Sequence, residues 1–260
     1  MAYEFIKVDR NGPITTFTLN RPDVMNAMHS PAHFEMDDAV NTFAADPEQW
    51  VGIVTGAGER AFSAGNDLKH QATGGKMGSP PSGFAGLTSR YDLTKPLIAA
   101  VNGVAMGGGF EIALACDIII ASDKAVFALP EPRVGLAALA GGLHRLPRAI
   151  GVKRAMSMIL TARRVSAAEG KELGFVAEVT SAEDLMRVAN EWAKGICELG
   201  PMSIRASKEA VYRGLDEPSL EAAIKGQNRY PAVAALFTSE DFVEGPLAFS
   251  QKRAPAWKGR

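Results

Sequence analysis

The stretch from Lys95 to Glu131 constrains the fold more than any other part of this chain. An apolar run of strand length, Leu97–Val101, turns at Asn102-Gly103 and leads to Gly107, Gly108 and Gly109, which open an apolar segment of helical length. Glycines just before a helix leave backbone N–H groups unshielded and aimed outward, where the helix dipole adds positive potential. Such a turn can hold a developing negative charge. Two carboxylates lie in the same stretch: Glu111, just inside the helix between Phe110 and Ile112, and Glu131, between Pro130 and Pro132. Burial raises a carboxyl pKa and a close second carboxylate raises it further, which suits general acid and base work near neutrality. Each Glu also has a plainer explanation, the first as a dipole-compensating residue of a first helical turn, the second as a solvated loop charge.

Composition narrows the classes of function. The 260 residues suffice for one large domain, or for a domain with an appended helical piece. Lys and Arg number 28 against 29 Asp and Glu, so no global basic field points to nucleic acid or an anionic membrane. Cys116 and Cys197 have no metal-ligand or redox spacing, as expected in a reducing cytosol. No signal peptide is read at the N-terminus, and the apolar run Val104 to Ala121 is interrupted by Glu111 and Asp117. The expectation is a soluble cytoplasmic protein.

In chain order, Phe5 to Val8 and Ile14 to Leu19 read as a hairpin about Asn11-Gly12. Pro31 opens a helix to about Ala45, with Phe34, Ala39 and Phe43 among its apolar positions, and Trp50 to Thr55 is a buried strand. Gly56-Ala57-Gly58-Glu59-Arg60-Ala61 has the form of a dinucleotide-binding turn. The residues that follow, Phe62 to Asp67, do not read as the helix which that fingerprint requires. Gln71 to Gly86 is a Gly, Pro and Ser-rich loop or lid. Asp117 to Ala121 and Ala125 to Ala128 are further strands, and Gly135 to Gly142 is a small-residue loop. Helices are expected over Leu143–Ile150, Val152–Leu160, Ala167–Leu173, Ala182–Leu199, Pro201–Arg213, Leu220–Ala235 and Glu240–Arg253. That order predicts an α/β core followed by a helical C-terminal part. His29 and His33, spaced i, i+4, read as a solvated pair at a polar helix start, and no metal site is expected.

Three blocks carry a resemblance: Gly56 through Lys69, Lys95-Pro96 through Gly107-Gly-Gly-Phe-Glu111, and Phe127-Ala-Leu-Pro-Glu131. In order and spacing they resemble the signature blocks of the crotonase (enoyl-CoA hydratase/isomerase) superfamily, across nearly the whole chain. Gly83-Phe-Ala-Gly-Leu-Thr88 and the tail from Ser239 to Arg260 resemble most closely the carnitinyl-CoA dehydratase subfamily. The resemblance implies a crotonase-like ββα superhelix core over 1–195 and a C-terminal helical trimerisation region over 196–260. It implies backbone N–H donors at Asn66 and Gly108 for a thioester oxygen, with Glu111 and Glu131 handling water and protons. Coenzyme A, as part of the substrate and with no further cofactor, would lie along Met25, Asn26 and Ala27 and along Asn66, Asp67, Leu68 and Lys69. Final helices, often from a neighbouring subunit, would bring Phe249 and Lys252 to its nucleotide end.

The implied activity is hydration or dehydration of an α,β-unsaturated acyl-CoA. Another crotonase reaction, such as isomerisation or thioester hydrolysis, and non-catalytic acyl-CoA binding remain as alternatives. Asn66 stands where simple hydratases usually carry alanine, and Leu136 to Gly142 lacks the proline-containing pattern frequent in fatty enoyl-CoA hydratases, so a generic straight-chain substrate is not implied. A homotrimer or dimer of trimers is implied as well, with Ala232, Val233, Leu236 and Phe237 as apolar candidates for its contacts; packing within one subunit is the alternative for them.

Overall fold

The structure, a computed structural model, describes residues 3–75 and 78–260. The hairpin forms as expected: β1 (Ile6–Asn11) and β2 (Ile14–Leu19) pair antiparallel around Gly12, whose φ of 57° suits the turn. Four more strands extend that sheet in parallel, namely β3 (Val51–Gly56), β5 (Leu97–Val101), β7 (Ile118–Ser122) and β10 (Glu178–Thr180). Its order is β1-β2-β3-β5-β7-β10, and β3 and β5 are buried along their whole length. Strands covered on both faces read as continuous apolar runs, which is why Leu97–Val101 is so legible.

A second sheet has the order β4-β6-β8-β9, from β4 (Ala61–Ser63), β6 (Val104–Met106), β8 (Val126–Ala128) and β9 (Val165–Ser166). Each large-sheet strand β3, β5 and β7 is followed within a few residues by a short strand of the second sheet, so the chain climbs as a ββα superhelix. The expectation placed no strand at Ala61–Ser63 or Val104–Met106. Two or three residues give no period, and these are specified by pairing rather than by pattern.

The helices are α1 (Ser30–Ala45), α2 (Leu68–Ala72), α3 (Gly108–Ala115), α4 (Gly142–Ile150), α5 (Val152–Thr161), α6 (Ala167–Leu173), α7 (Leu185–Cys197), α8 (Pro201–Asp216), α9 (Leu220–Gly226), α10 (Pro231–Phe237) and α11 (Glu240–Ser250). The main core fills the space between the sheets with Phe17, Phe43, Phe62, Phe110 and Phe127, all below 2% exposed, and a second cluster joins α7 to the large sheet. The 195/196 boundary lies in the last turn of α7.

Several expectations need correction. The single helix over Leu220–Ala235 is two, because the chain narrows to a 3-10 turn at Gln227–Arg229 and Pro231 starts a new helix. Phe34 faces solvent at 50% exposure, whereas Ala39 and Phe43 are buried. Within Gln71–Gly86, the first two residues end α2, and Phe84–Gly86 packs on α1 as a 3-10 turn; Lys76 and Met77 lie outside the described residues. Val233 is buried in a small cluster with Ala206 and Tyr230, so it belongs to the packing of one subunit, while Phe237 is 50% exposed. Among the described residues no helix is long and apolar enough to cross a membrane.

Candidate active site

Two glycine turns meet where the sheets open. After β6, Gly107 takes φ 53° and ψ −124°, and α3 begins at Gly108 with the four N–H groups of its first turn in need of partners. After β4, the chain turns at Gly65 (φ 88°), whose Cα lies so close to the other turn that an added Cβ would stand 2.6 Å from the Met106 carbonyl oxygen and 2.8 Å from the Gly108 nitrogen. The contact brings Asn66 beside Gly108. Neither the Asn66 nor the Gly108 N–H donates to a protein backbone carbonyl among the described residues. The Asn66 side chain points elsewhere, donating to Gln71 Oε1 at 2.9 Å.

Both carboxylates reach this turn. Glu131 opens a 3-10 turn at Glu131–Val134 and sets Oε1 against Gly107, where a Cβ would stand 2.8 Å away. Its Oε2 is buried and has no hydrogen-bond partner among the described residues. Glu111, 3% exposed, sits on the first turn of α3 and accepts the Gly142 N–H through Oε1 at 2.8 Å. Burial pushes the Glu111 pKa up to about 7; the Gly142 N–H opposes the rise and the nearby Glu131 adds to it. Burial also raises the pKa of Glu131. Thus Glu131 is not a freely solvated loop charge, and Glu111 is far more buried than a dipole-compensating residue needs to be.

The 25–27 segment is tied to the 64–67 segment. Met25 and Asn26 both adopt left-handed backbone, Met25 O accepts from Ala64 at 2.9 Å, and Met28 bridges Asn66 through two bonds, to Gly65 O and from Asp67 N. Asn26 is 1% exposed and donates to Ala57 O and Ala61 O at 2.9 and 2.8 Å, so its side chain holds the loop. Asp67 caps α2 by accepting the His70 N–H and pairs with Arg21 at 2.9 Å. Leu68 and Lys69 are exposed on α2. Of the predicted residues, then, Met25–Ala27, Asn66–Lys69, Gly108, Glu111 and Glu131 share one region. Phe249, 87% exposed at the end of α11, and Lys252, in left-handed backbone just beyond it, belong to a helix whose packing is on α8 and α10. A single chain links neither of them by hydrogen bond to the 25–27 or 66–69 segments among the described residues.

The histidines correct the sequence reading. His29 and His33 are 9% and 4% exposed, not solvated, and burial lowers both pKa values, that of His33 to about 4. His29 lies edge-on to Phe5 and His70, at centroid distances of 4.5 and 5.3 Å. No group of three or more His, Cys, Asp or Glu is placed to hold a metal ion among the described residues.

Sequence reasoning passed over Gly65, Phe84 and Gly142. Gly65 and Gly142 could have been suspected as glycines beside candidate residues. Phe84 carries no local signal, because its ring reaches Gly108 only through tertiary packing; a Cβ on Gly108 would stand 2.5 Å from it.

Residues 9–260 match the enoyl-CoA hydratase/isomerase family. Carnitinyl-CoA dehydratase of Salmonella typhi is 45% identical, the alignment covering 99% of each chain. Among solved structures, enoyl-CoA hydratase EchA1 from Mycobacterium marinum superposes with a TM-score of 0.92 at 36% identity, covering 98% of this chain and 99% of that one. Carnitinyl-CoA hydratase from Mycobacterium avium gives 0.78 at 38% identity with the same coverage.

Proposed function

Because this chain belongs to the enoyl-CoA hydratase/isomerase family, we propose that it adds water to, or removes it from, the α,β double bond of an acyl-CoA thioester. The observation that carries the reading is a glycine turn with unspent N–H groups beside two carboxylates, Glu111 buried and Glu131 half-buried, each with its pKa raised by burial. As water attacks Cβ, the π electrons move toward the thioester and charge builds on its oxygen. The N–H groups of Asn66 and Gly108 are disposed to receive that oxygen, and one such donor is worth about 10²–10³ in rate.

The acids divide the proton work. Glu131 has a buried oxygen with free lone pairs, suited to take the proton leaving water. Glu111, with one oxygen fixed by Gly142, stays partly protonated at neutral pH and can orient that water and supply the proton gained by Cα. Dehydration is the reverse, with the roles exchanged.

Coenzyme A would run along the backbone of Met25 to Ala27 and over Asn66 to Lys69, with Lys69 near its phosphates. The names of the relatives favour carnitinyl-CoA or crotonobetainyl-CoA as the acyl substrate over a straight fatty chain. Exposed Phe237, Phe242, Val243, Leu247 and Phe249 on α10 and α11 support assembly through the C-terminal region over 196–260, as a trimer or dimer of trimers, with Phe249 and Lys252 serving a neighbour's nucleotide end. Free Cys116 and Cys197 suit a cytoplasmic setting.

Glu111→Gln and Glu131→Gln should each lower hydration of crotonyl-CoA or crotonobetainyl-CoA by about 10³ or more. Full activity in either variant removes the assignment. Product analysis in H₂¹⁸O separates hydration from isomerisation, which incorporates no label.

A further inference from the structure

One buried titratable side chain near this site has no part in the proton transfers. His33 accepts the Ala85 N–H through Nδ1 at 2.9 Å, and its ring packs against that of Phe84 with centroids 4.4 Å apart. Ala85 is in left-handed backbone, φ 53° and ψ 26°, a conformation that a residue with a Cβ holds only when its surroundings impose it. The Phe84 N–H is taken by Thr88 Oγ1 at 2.9 Å, and Gly86 lies against the α1 backbone at Asp37. The ring of Phe84, so directed, fills the space beside Gly108. An unbroken line of contacts therefore runs from α1 through Ala85 and Phe84 to the turn that carries the Gly108 N–H.

We propose that His33 is a positioning residue that fixes Phe84 as a rigid wall beside Gly108, and that this wall selects which acyl groups fit the site. The inference rests on Gly108 being a thioester-oxygen donor. A proton on Nδ1 would abolish the acceptor, so the role needs the neutral imidazole with its hydrogen on Nε2. Loss of the Ala85 anchor frees the left-handed turn to relax, and the phenyl ring moves relative to the bound acyl group. The 25–27 and 66–69 segments are held by Asn26, Met28 and Asp67 instead, so affinity for coenzyme A should not follow.

The test measures kcat and KM for crotonyl-CoA and for an enoyl-CoA with a bulky β-substituent, and Kd for free coenzyme A, in the wild type, His33→Asn, His33→Leu and Phe84→Leu. Asparagine can present an acceptor oxygen close to the place of Nδ1; leucine cannot. Expected for His33→Leu is about a tenfold or larger fall in kcat/KM on the better substrate, since small misplacements near reacting atoms carry large rate costs. The ratio between the two substrates should shift in the same direction as in Phe84→Leu, the Kd for coenzyme A should stay within about twofold, and His33→Asn should recover most of the loss. An unchanged substrate ratio in Phe84→Leu, or asparagine behaving like leucine, overturns the proposal, as does coenzyme A affinity falling in step with activity. If His33→Leu does not fold, the Phe84→Leu ratio and the His33→Asn activity still decide. A wild type that turns over no enoyl-CoA fails the functional reading itself, whereas an active wild type with indifferent variants fails this inference alone.

Discussion

At the scale of single residues, the site rests on a carboxyl group kept out of water. Glu111 has a folded-state pKa of about 7 against an ordinary 4.5, so between those values the folded protein binds a proton that the unfolded chain has released. Stability is therefore favoured below pH 4.5 and is lost as pH rises through 7, by about 3 kcal/mol for a shift of this size. Urea unfolding of Glu111→Gln should show part of that loss removed: the variant gains on the wild type at pH 8 and shows little gain at pH 5. A wild-type-like pH dependence in the variant would contradict the burial argument. Gly108 makes a second case. A Cβ there would stand 2.5 Å from the Phe84 ring, so Gly108→Ala must displace either the ring or the turn. Its kcat should fall by about 10²-fold, the magnitude of losing an oxyanion donor, while secondary structure by circular dichroism stays unchanged.

At the scale of elements, the site depends on how α8 is fastened behind it. Lys208 of α8 donates to Asp117 Oδ2 at 2.8 Å and to Lys95 O at 2.9 Å, and Asp117 Oδ2 also accepts the Leu97 N–H at 2.7 Å. Asp117 lies between α3 and β7, and Leu97 starts β5, so one lysine joins the C-terminal helices to the strand and helix on either side of the Gly107–Gly108 turn. Both charged side chains are largely sheltered, at 15% and 16% exposure. Asp117 Oδ1 is already buried without a partner among the described residues, so Lys208→Met leaves the carboxylate with the Leu97 N–H alone and should cost about 3 kcal/mol in denaturant unfolding, far beyond a surface ion pair. A loss below about 0.5 kcal/mol would show that the pair behaves as an exposed one. The packed turn at Phe84–Gly86 makes the same point: a segment of Gly, Pro and Ser looks like free loop until α1 supplies the partners that hold it.

At the scale of the whole molecule, apolar side chains that one chain leaves uncovered cluster on the C-terminal helices, with Val211 and Leu215 of α8, Leu220 and Ile224 of α9, and Val243 and Phe249 of α11 each at least 57% exposed. Mass measurement in solution should give a trimer or hexamer, and Lys252→Ala should raise KM several-fold with kcat little changed, as for a lost uniform contact to coenzyme A. A monomer with wild-type KM in that variant would count against assembly and the shared site together. Much of this protein was legible without coordinates. Leu97–Val101 is a continuous apolar run, the mark of a strand covered on both faces, Gly107–Gly109 reads as a turn that opens a helix, and the blocks ending in Glu111 and Glu131 carry the resemblance to the family. What folding alone decided lies where partners distant in sequence meet. The approach of Gly65 to Gly108, the burial of His29 and His33, and the seating of Phe84 against Gly108 arise from packing, and local pattern carries no record of which surface a short segment will find.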